Sequence, residues 1–82
     1  FNSATTIRFE LPVASTVRLD VFNLLGELVQ TLASDKLYEA GRHALQFSAL
    51  RQDGTSLPSG VYYYRLSVSG APLQVRKMIY LR

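Results

Sequence analysis

The side chains that could carry acid–base or metal chemistry in this sequence are few and scattered. His43 is the single histidine of the chain, and cysteine is absent. A structural zinc site draws four ligands mainly from these two residue types, so the sequence cannot supply one. His43 falls on the polar phase of its segment beside Arg42, and it is predicted to be an exposed residue without a catalytic role.

The carboxylates offer one pair with a chemical interpretation. Glu10 and Asp20 lie on different predicted strands, where they could face each other across an outer surface like the two acids of a glycosidase. Arg8 and Arg18 stand beside them, and cross-strand charge pairs, each worth less than about 1 kcal/mol, are the favoured interpretation. Asp53, followed by Gly54, has too few neighbouring oxygen ligands to be more than a weak calcium candidate. We therefore expect no enzyme activity, no bound metal and no cofactor.

Three consecutive tyrosines, residues 62–64, indicate a second kind of chemistry. Successive side chains of a strand point to opposite faces, so Tyr63 is predicted to lie outside and its two neighbours inside. With Phe22, which falls out of phase with its own strand, Tyr63 could stack on a sugar, and a carbohydrate-binding module is therefore an alternative function. The favoured interpretation is that the rings pack under loops. Tyr62 follows the turn at 58–60 and is a candidate corner tyrosine, whose hydroxyl bonds back to the chain.

Short strands must position these residues, because apolar side chains recur with a period of two. Residues 5–12 and 15–23 alternate in this way, and their polar partners, including Asp20, are predicted to point outward. Residues 42–49 and 61–69 repeat the pattern. The apolar side chains assigned to the inner phase are Ile7, Phe9, Leu11, Val17, Leu19, Val21, Leu45, Phe47, Tyr62, Tyr64, Leu66 and Val68.

The remaining segments are predicted from turn residues and from a weaker alternation. A tight turn at 23–27 leads into a short third strand at 27–33. Residues 34–41 are predicted to be a loop that could include a short strand, and residues 50–60 a long loop. Residues 73–82 form the last predicted strand, and its phase stays open. Val75, Ile79 and Leu81 form one apolar row that Lys77 interrupts, whereas Met78 and Tyr80 form the other.

About seven short strands without a convincing helix predict an all-β protein. The spacing is typical of an immunoglobulin-like antiparallel β-sandwich, with a small barrel as the alternative. The 82 residues fit one domain, 1–82. The first residue is Phe1 rather than methionine, so the sequence is expected to be a piece of a longer protein that holds the export signal and the main activity elsewhere.

The distribution of basic residues argues against nucleic acid as a partner. The net charge is +3, but the nine basic residues are spread along the chain, whereas proteins that bind nucleic acid usually cluster them. We therefore expect no nucleic-acid partner. No apolar run approaches the roughly 20 residues that a membrane helix needs.

Four stretches in a fixed order resemble one protein family. They are NSATTIRFELP at 2–12, NLLGELVQTL at 23–32, LPSGVYYYRL at 57–66 and RKMIYLR at 76–82. Together they resemble the type A C-terminal sorting domain of the type IX (Por) secretion system, which is related to the immunoglobulin-like domain of the flagellar hook-capping protein. Family members usually carry Asn-Pro just before the first strand, and here Phe1 precedes Asn2.

The resemblance implies a signal rather than a catalyst. Such domains end large exported proteins of Bacteroidetes-type bacteria, and the outer-membrane translocon recognises them in the periplasm. A sortase-like protease then commonly removes the domain, at a site expected before Phe1, and the cargo reaches the cell surface or the medium. Gly60 and Tyr62 match family motif positions. The expected recognition residues are Lys77, Met78, Ile79, Tyr80, Leu81 and Arg82.

Two further expectations concern the last predicted strand. Because the strand and the sequence end together at Arg82, the sorting signal is expected to lie in the strand itself rather than in a loose tail. A long strand in this position is also a candidate for swapping between two copies as a homodimer. The competing hypothesis from the same fold is a passive immunoglobulin-like spacer between an enzyme and the cell surface.

Overall fold

The computed structural model describes residues 4–48, 55–69, 71 and 73–80. These residues form two antiparallel sheets, so the predicted all-β sandwich is confirmed, with six strands in the described part rather than about seven. One sheet pairs β1 with β4, and the other has the order β3-β2-β5-β6. The strands are β1 (Ala4–Leu11), β2 (Ser15–Phe22), β3 (Leu28–Tyr38), β4 (Gly41–Ser48), β5 (Gly60–Val68) and β6 (Gln74–Tyr80).

The core lies between the inner faces of the two sheets, where the period of two placed it. The three inner residues of β2, Val17, Leu19 and Val21, are completely buried. β2 is paired on both sides, with β3 and with β5, so it forms the centre of the larger sheet. The other buried apolar residues are Ile7, Phe9, Leu11, Ala33, Phe47, Leu57, Tyr62, Leu66, Met78 and Tyr80.

The third strand is longer than its alternation predicted. β3 has 11 residues and pairs with the 8 residues of β2, and three register shifts absorb the difference. One of these shifts lies beside Asp35, whose φ is +54°. Each irregularity moves the side chains to the opposite phase. Of residues 34–41, which were predicted to be a loop that could include a short strand, residues 34–38 form the end of β3. The loop assignment was wrong for this part, because the bulges hide its alternation.

The predicted tight turn between β2 and β3 is confirmed. The side-chain oxygen of Asn23 accepts hydrogen bonds from the backbone N–H groups of Leu25, at 2.9 Å, and Glu27, at 3.0 Å. Gly26 has a φ of +83°, a value that side-chain-bearing residues seldom adopt. No helix within the described ranges is long and apolar enough to cross a membrane.

Truncating the centre of the core should cost far more stability than truncating an exposed leucine. We expect Leu19→Ala to lower the free energy of unfolding by about 2–5 kcal/mol, because it removes buried methyl groups and leaves a cavity. Leu37→Ala is the matched control: Leu37 lies on β3 with 69% of its surface exposed, and its loss should stay within about 0.5 kcal/mol. Urea denaturation measures both, and equal losses would contradict this account of the core.

Candidate functional site

β6 is an edge strand, and the structure shows which of its two rows of side chains faces the core. It pairs with β5 alone among the described strands. Met78 and Tyr80 point into the core and are buried, whereas Lys77 is exposed. The apolar row that Lys77 interrupts is therefore the outer one. We call this row the β6 outer row; it comprises Leu73, which immediately precedes the strand, Val75, Lys77 and Ile79.

The β6 outer row exposes large apolar side chains on both sides of a charge. Val75 and Ile79 are each 61% exposed, and Leu73 is 56% exposed. In the ladder, Lys77 lies opposite Tyr63 on β5, and Ile79 lies opposite Val61. An exposed apolar row on an edge strand is a feature that soluble domains usually avoid unless it binds a partner.

The predicted recognition residues therefore divide between the two faces of β6. Lys77 and Ile79 are presented outward, whereas Met78 and Tyr80 are core residues and can act on recognition only through the fold. Leu81 and Arg82 lie outside the described residues, so the site is argued from the strand that precedes them.

A charge cluster lies beside this row on the outer face of the same sheet. The Asp20 carboxylate accepts hydrogen bonds from Nε of Arg18 at 3.0 Å, from Nη2 of Arg65 at 3.0 Å and from the Thr31 hydroxyl at 2.8 Å. Arg65 lies opposite Val75 in the ladder, which joins the cluster to the β6 outer row. Arg18 extends the cluster to Asp35 at 3.2 Å.

The burial of the Asp20 side chain differs from the expectation that residues on the outward phase of β2 are exposed. The phase is the predicted one, yet only 1% of the Asp20 side chain is accessible, because residues of β2, β3 and β5 close over it. Arg18 was a predicted neighbour, whereas Arg65 and Thr31 were not singled out. The sequence does show polar side chains at alternating positions of these strands. To identify Arg65 and Thr31 as partners of Asp20, however, requires the strand register.

The carboxyl of Asp20 stays ionised under this cover. Burial raises its pKa, whereas the hydrogen bonds from Thr31, Arg65 and Arg18 lower it. The lowering prevails, and the pKa of Asp20 lies below the ordinary aspartate value. The hydrogen bond to Asp20 in turn raises the pKa of Arg18. The cluster therefore holds one buried negative charge between two partly exposed arginines.

The predicted corner tyrosine is confirmed in its geometry. The Tyr62 hydroxyl donates a hydrogen bond to the Pro58 carbonyl oxygen at 2.6 Å, which ties β5 to the segment before it. Gly60 begins β5 with a φ of +155°, outside the range of most other residues. The rings of Phe47, Tyr62 and Tyr80 pack together with centroid separations of 5.5–6.4 Å. Both family motif residues thus shape the corner that supports β5 and β6.

His43 is not the exposed residue that the sequence predicted. It is half-buried, because it shares the inner phase of β4 with Leu45 and Phe47. Its ring stacks on Phe9 at 5.3 Å, and its Nε2 donates to the Glu39 carbonyl oxygen at 2.7 Å. These contacts give His43 a packing role.

The glycosidase-like pair does not form. Glu10 lies on β1 and Asp20 on β2, which belong to different sheets, so they do not share an outer surface. Glu10 instead lies opposite Arg42 in the ladder. Within residues 4–48, 55–69, 71 and 73–80, no group of three or more His, Cys, Asp or Glu side chains could hold a metal ion. Asp53 lies outside these ranges.

The aromatic residues proposed for sugar stacking do not form an open platform. Tyr63 is half-buried. The guanidinium of Arg65 lies over the Phe22 ring at 5.0 Å from its centroid, so a cation already occupies that ring face. Sugar binding stays a prediction that the geometry of these two residues does not favour.

Two facing antiparallel sheets, a corner tyrosine and a core between the sheets define an immunoglobulin-like β-sandwich. Comparison with protein families extends this assignment: residues 1–71 match the FlgD Ig-like domain. The chain belongs to this family. The matched residues include β1 to β5, whereas β6 lies beyond them. No curated protein and no solved structure matches the chain.

The Asp20 cluster should contribute to stability through charge. We expect Asp20→Asn to lower the free energy of unfolding at neutral pH by about 1–3 kcal/mol, because a buried acceptor of charged hydrogen bonds is lost. Asp35→Asn is the control, since Asp35 is exposed and asparagine also tolerates its positive φ. That change should cost less than about 1 kcal/mol.

The same pair of proteins should show a distinct pH dependence. Because the folded-state pKa of Asp20 is lowered, its stabilisation is complete above about pH 5 and is lost as the pH falls below about 4 towards the folded-state pKa. The stability difference between wild type and Asp20→Asn should therefore shrink in acid. Urea denaturation at a series of pH values measures it, and a pH-independent difference would show that the charge of Asp20 is not responsible.

Two buried tyrosines allow a matched test of the corner. Tyr62→Phe should cost about 1 kcal/mol, because it removes the hydroxyl that bonds Pro58 and keeps the ring. The hydroxyl of Tyr80 has no hydrogen-bond partner among the described residues, so Tyr80→Phe should be neutral or stabilising. Thermal denaturation of both variants checks this, and a larger loss for Tyr80→Phe would refute the corner assignment.

Proposed function

We propose that this domain is a sorting signal of the type IX kind, which an outer-membrane translocon recognises through β6. The domain acts on an attached cargo protein, which it carries from the periplasm to the cell surface or the medium. A sortase-like protease then removes it. The domain is the substrate of these partners and is not itself an enzyme.

The observation that carries the proposal is the β6 outer row. It combines a regular strand, a backbone edge that no described strand covers and three exposed apolar side chains around Lys77. A receptor can pair with such an edge through the backbone and read alternate side chains in pockets. The order matters, because a loosely held or helical segment could not present this row.

Lys77 supplies the selectivity of this surface. Its charge lies between Val75 and Ile79, so a receptor pocket that buries those two side chains must also provide an acceptor for the Lys77 amine. A pocket without that acceptor would leave a cation unpaired in apolar surroundings, which is costly. The proposed receptor surface is therefore apolar with one acidic or carbonyl-rich position.

The family membership supports the fold of the signal, and the motif resemblance supports its use in export. The FlgD Ig-like match covers residues 1–71, which provide the platform on which β6 is held. Met78 and Tyr80 anchor the strand to that platform from the inner face. This division explains why the expected recognition residues alternate between buried and exposed positions.

Export of a reporter tests the proposal. Residues 1–82 are fused behind a periplasmic signal and a soluble reporter, in a bacterium that has the type IX machinery. We expect the fusion to appear outside the cell and Lys77→Glu to reduce the external fraction about tenfold, because the reversed charge repels the receptor position. Reporter activity in the medium, on cells and in periplasmic extracts is measured.

Lys36→Glu is the matched control. It makes the same change on an exposed strand residue of β3, away from β6, and should be exported like the wild type. Circular dichroism of the purified domains confirms that both variants fold. If Lys77→Glu is exported normally, or if the fusion leaves a host that lacks the machinery, the domain is a passive spacer and the sorting proposal fails.

A further inference from the structure

The two sheets separate along one side of the sandwich and leave a cleft of about 570 Å³. One wall is the edge of β1 over residues 8–11, and Pro12 continues it beyond the strand. The floor is the inner face of β5, at Tyr64, Leu66 and Val68, and Gln74 and Arg76 of β6 form the other wall. This cleft lies between the sheets, whereas the β6 outer row lies on the outside of the larger sheet.

The wall of the cleft is a strand edge with which no other described strand pairs. Among the described strands, β1 pairs with β4 alone. In an antiparallel strand, the backbone N–H and C=O groups point alternately to the two sides. About half of these groups on β1 therefore point away from β4, and those of residues 8–11 lie along the cleft. An extended chain placed there would continue the smaller sheet.

The floor and far wall show that the cleft lacks the cover expected inside a sandwich. Tyr64 and Val68 face inward but remain half-buried. Gln74 and Arg76 share the inner phase of β6 with the buried Met78, yet they are exposed. The smaller sheet therefore does not cover the part of β6 at Gln74 and Arg76, and an apolar floor with a polar rim is left open there.

The charges of the cleft favour an acidic occupant. Arg8 and Arg76 line it together with Glu10. Glu10 lies opposite Arg42 in the β1–β4 ladder, so a cation already neighbours it on its own sheet. The two arginines and the one glutamate thus give the lining of the cleft a net charge of +1.

The position of the floor argues against a second copy as the occupant. A strand added beside β1 would lie above β5 and β6, because these strands form the floor and far wall. If a second copy paired its own β1 antiparallel to this β1, the larger sheet of that copy would have to occupy the same layer as β5 and β6 of the first copy. An isolated extended peptide brings no second layer and fits.

We propose that this cleft accepts an extended peptide segment of a partner protein as an added strand beside β1. The segment places apolar side chains on the floor and an acidic side chain near Arg8 and Arg76. Backbone pairing provides much of the affinity, and the two arginines select the charge, as in other cases of strand addition. This activity does not depend on the sorting role, because it uses a different face of β6.

Titration of the isotope-labelled 82-residue domain with blocked synthetic peptides tests the proposal by NMR. The probe alternates valine and threonine around one central glutamate, and the comparison peptides carry glutamine or lysine at that position. We expect saturable shifts of the amides of residues 8–11 and 74–76, with the glutamate peptide binding most tightly. A glutamate peptide with alternate N-methylated amides should lose binding, because it cannot pair with β1.

Charge-reversing variants complete the test. Arg8→Glu and Arg76→Glu should each weaken binding of the glutamate peptide about fivefold, whereas Lys36→Glu on β3 should bind like the wild type. Both target side chains are exposed, so the variants should fold.

Three results would overturn the proposal. They are the absence of saturable binding, equal binding of the N-methylated peptide, and shifts of the same amides caused by self-association in sedimentation experiments.

Discussion

The burial of Met78 and Tyr80 on one side of β6 determines most of what this domain can present to a partner. Because strand side chains alternate, anchoring these two residues in the core forces Val75, Lys77 and Ile79 outward. The aromatic packing of Tyr80 with Phe47 and Tyr62 fixes the phase. A slip of one residue would bury a lysine and expose the anchors, so the proposed recognition surface and the stability of the fold depend on the same register.

The outer face of the larger sheet combines this apolar row with a buried charge. Asp20 sits in the central strand and binds side chains from three strands. Compared with apolar residues of similar size, a buried ion group of this kind adds little net stability, but it makes alternative registers costly because each would leave the carboxylate unpaired. Asp20 therefore helps to hold β2 and β5 in the alignment on which β6 depends.

The parts of the fold that follow a strict period of two could be predicted from the sequence, and the irregular parts could not. The inner residues of β1, β2 and β5 were correct, as was the hydroxyl contact of Tyr62. The length of β3 was missed because three bulges break its alternation. The burial of Asp20 and the packing of His43 depend on neighbours from other strands, which the linear sequence does not identify. The phase of β6 was undecided because both of its rows contain apolar side chains.

The bulges of β3 have a consequence for association between molecules. β3 forms one margin of the larger sheet, and three register shifts along it disturb the flat, regular backbone that a foreign strand would need as a template. Growth of the sheet by edge-to-edge addition of further chains is thereby hindered on that side. Continuous extension of the larger sheet requires two regular margins, so the irregular β3 allows the β6 margin to stay available without that sheet growing in both directions.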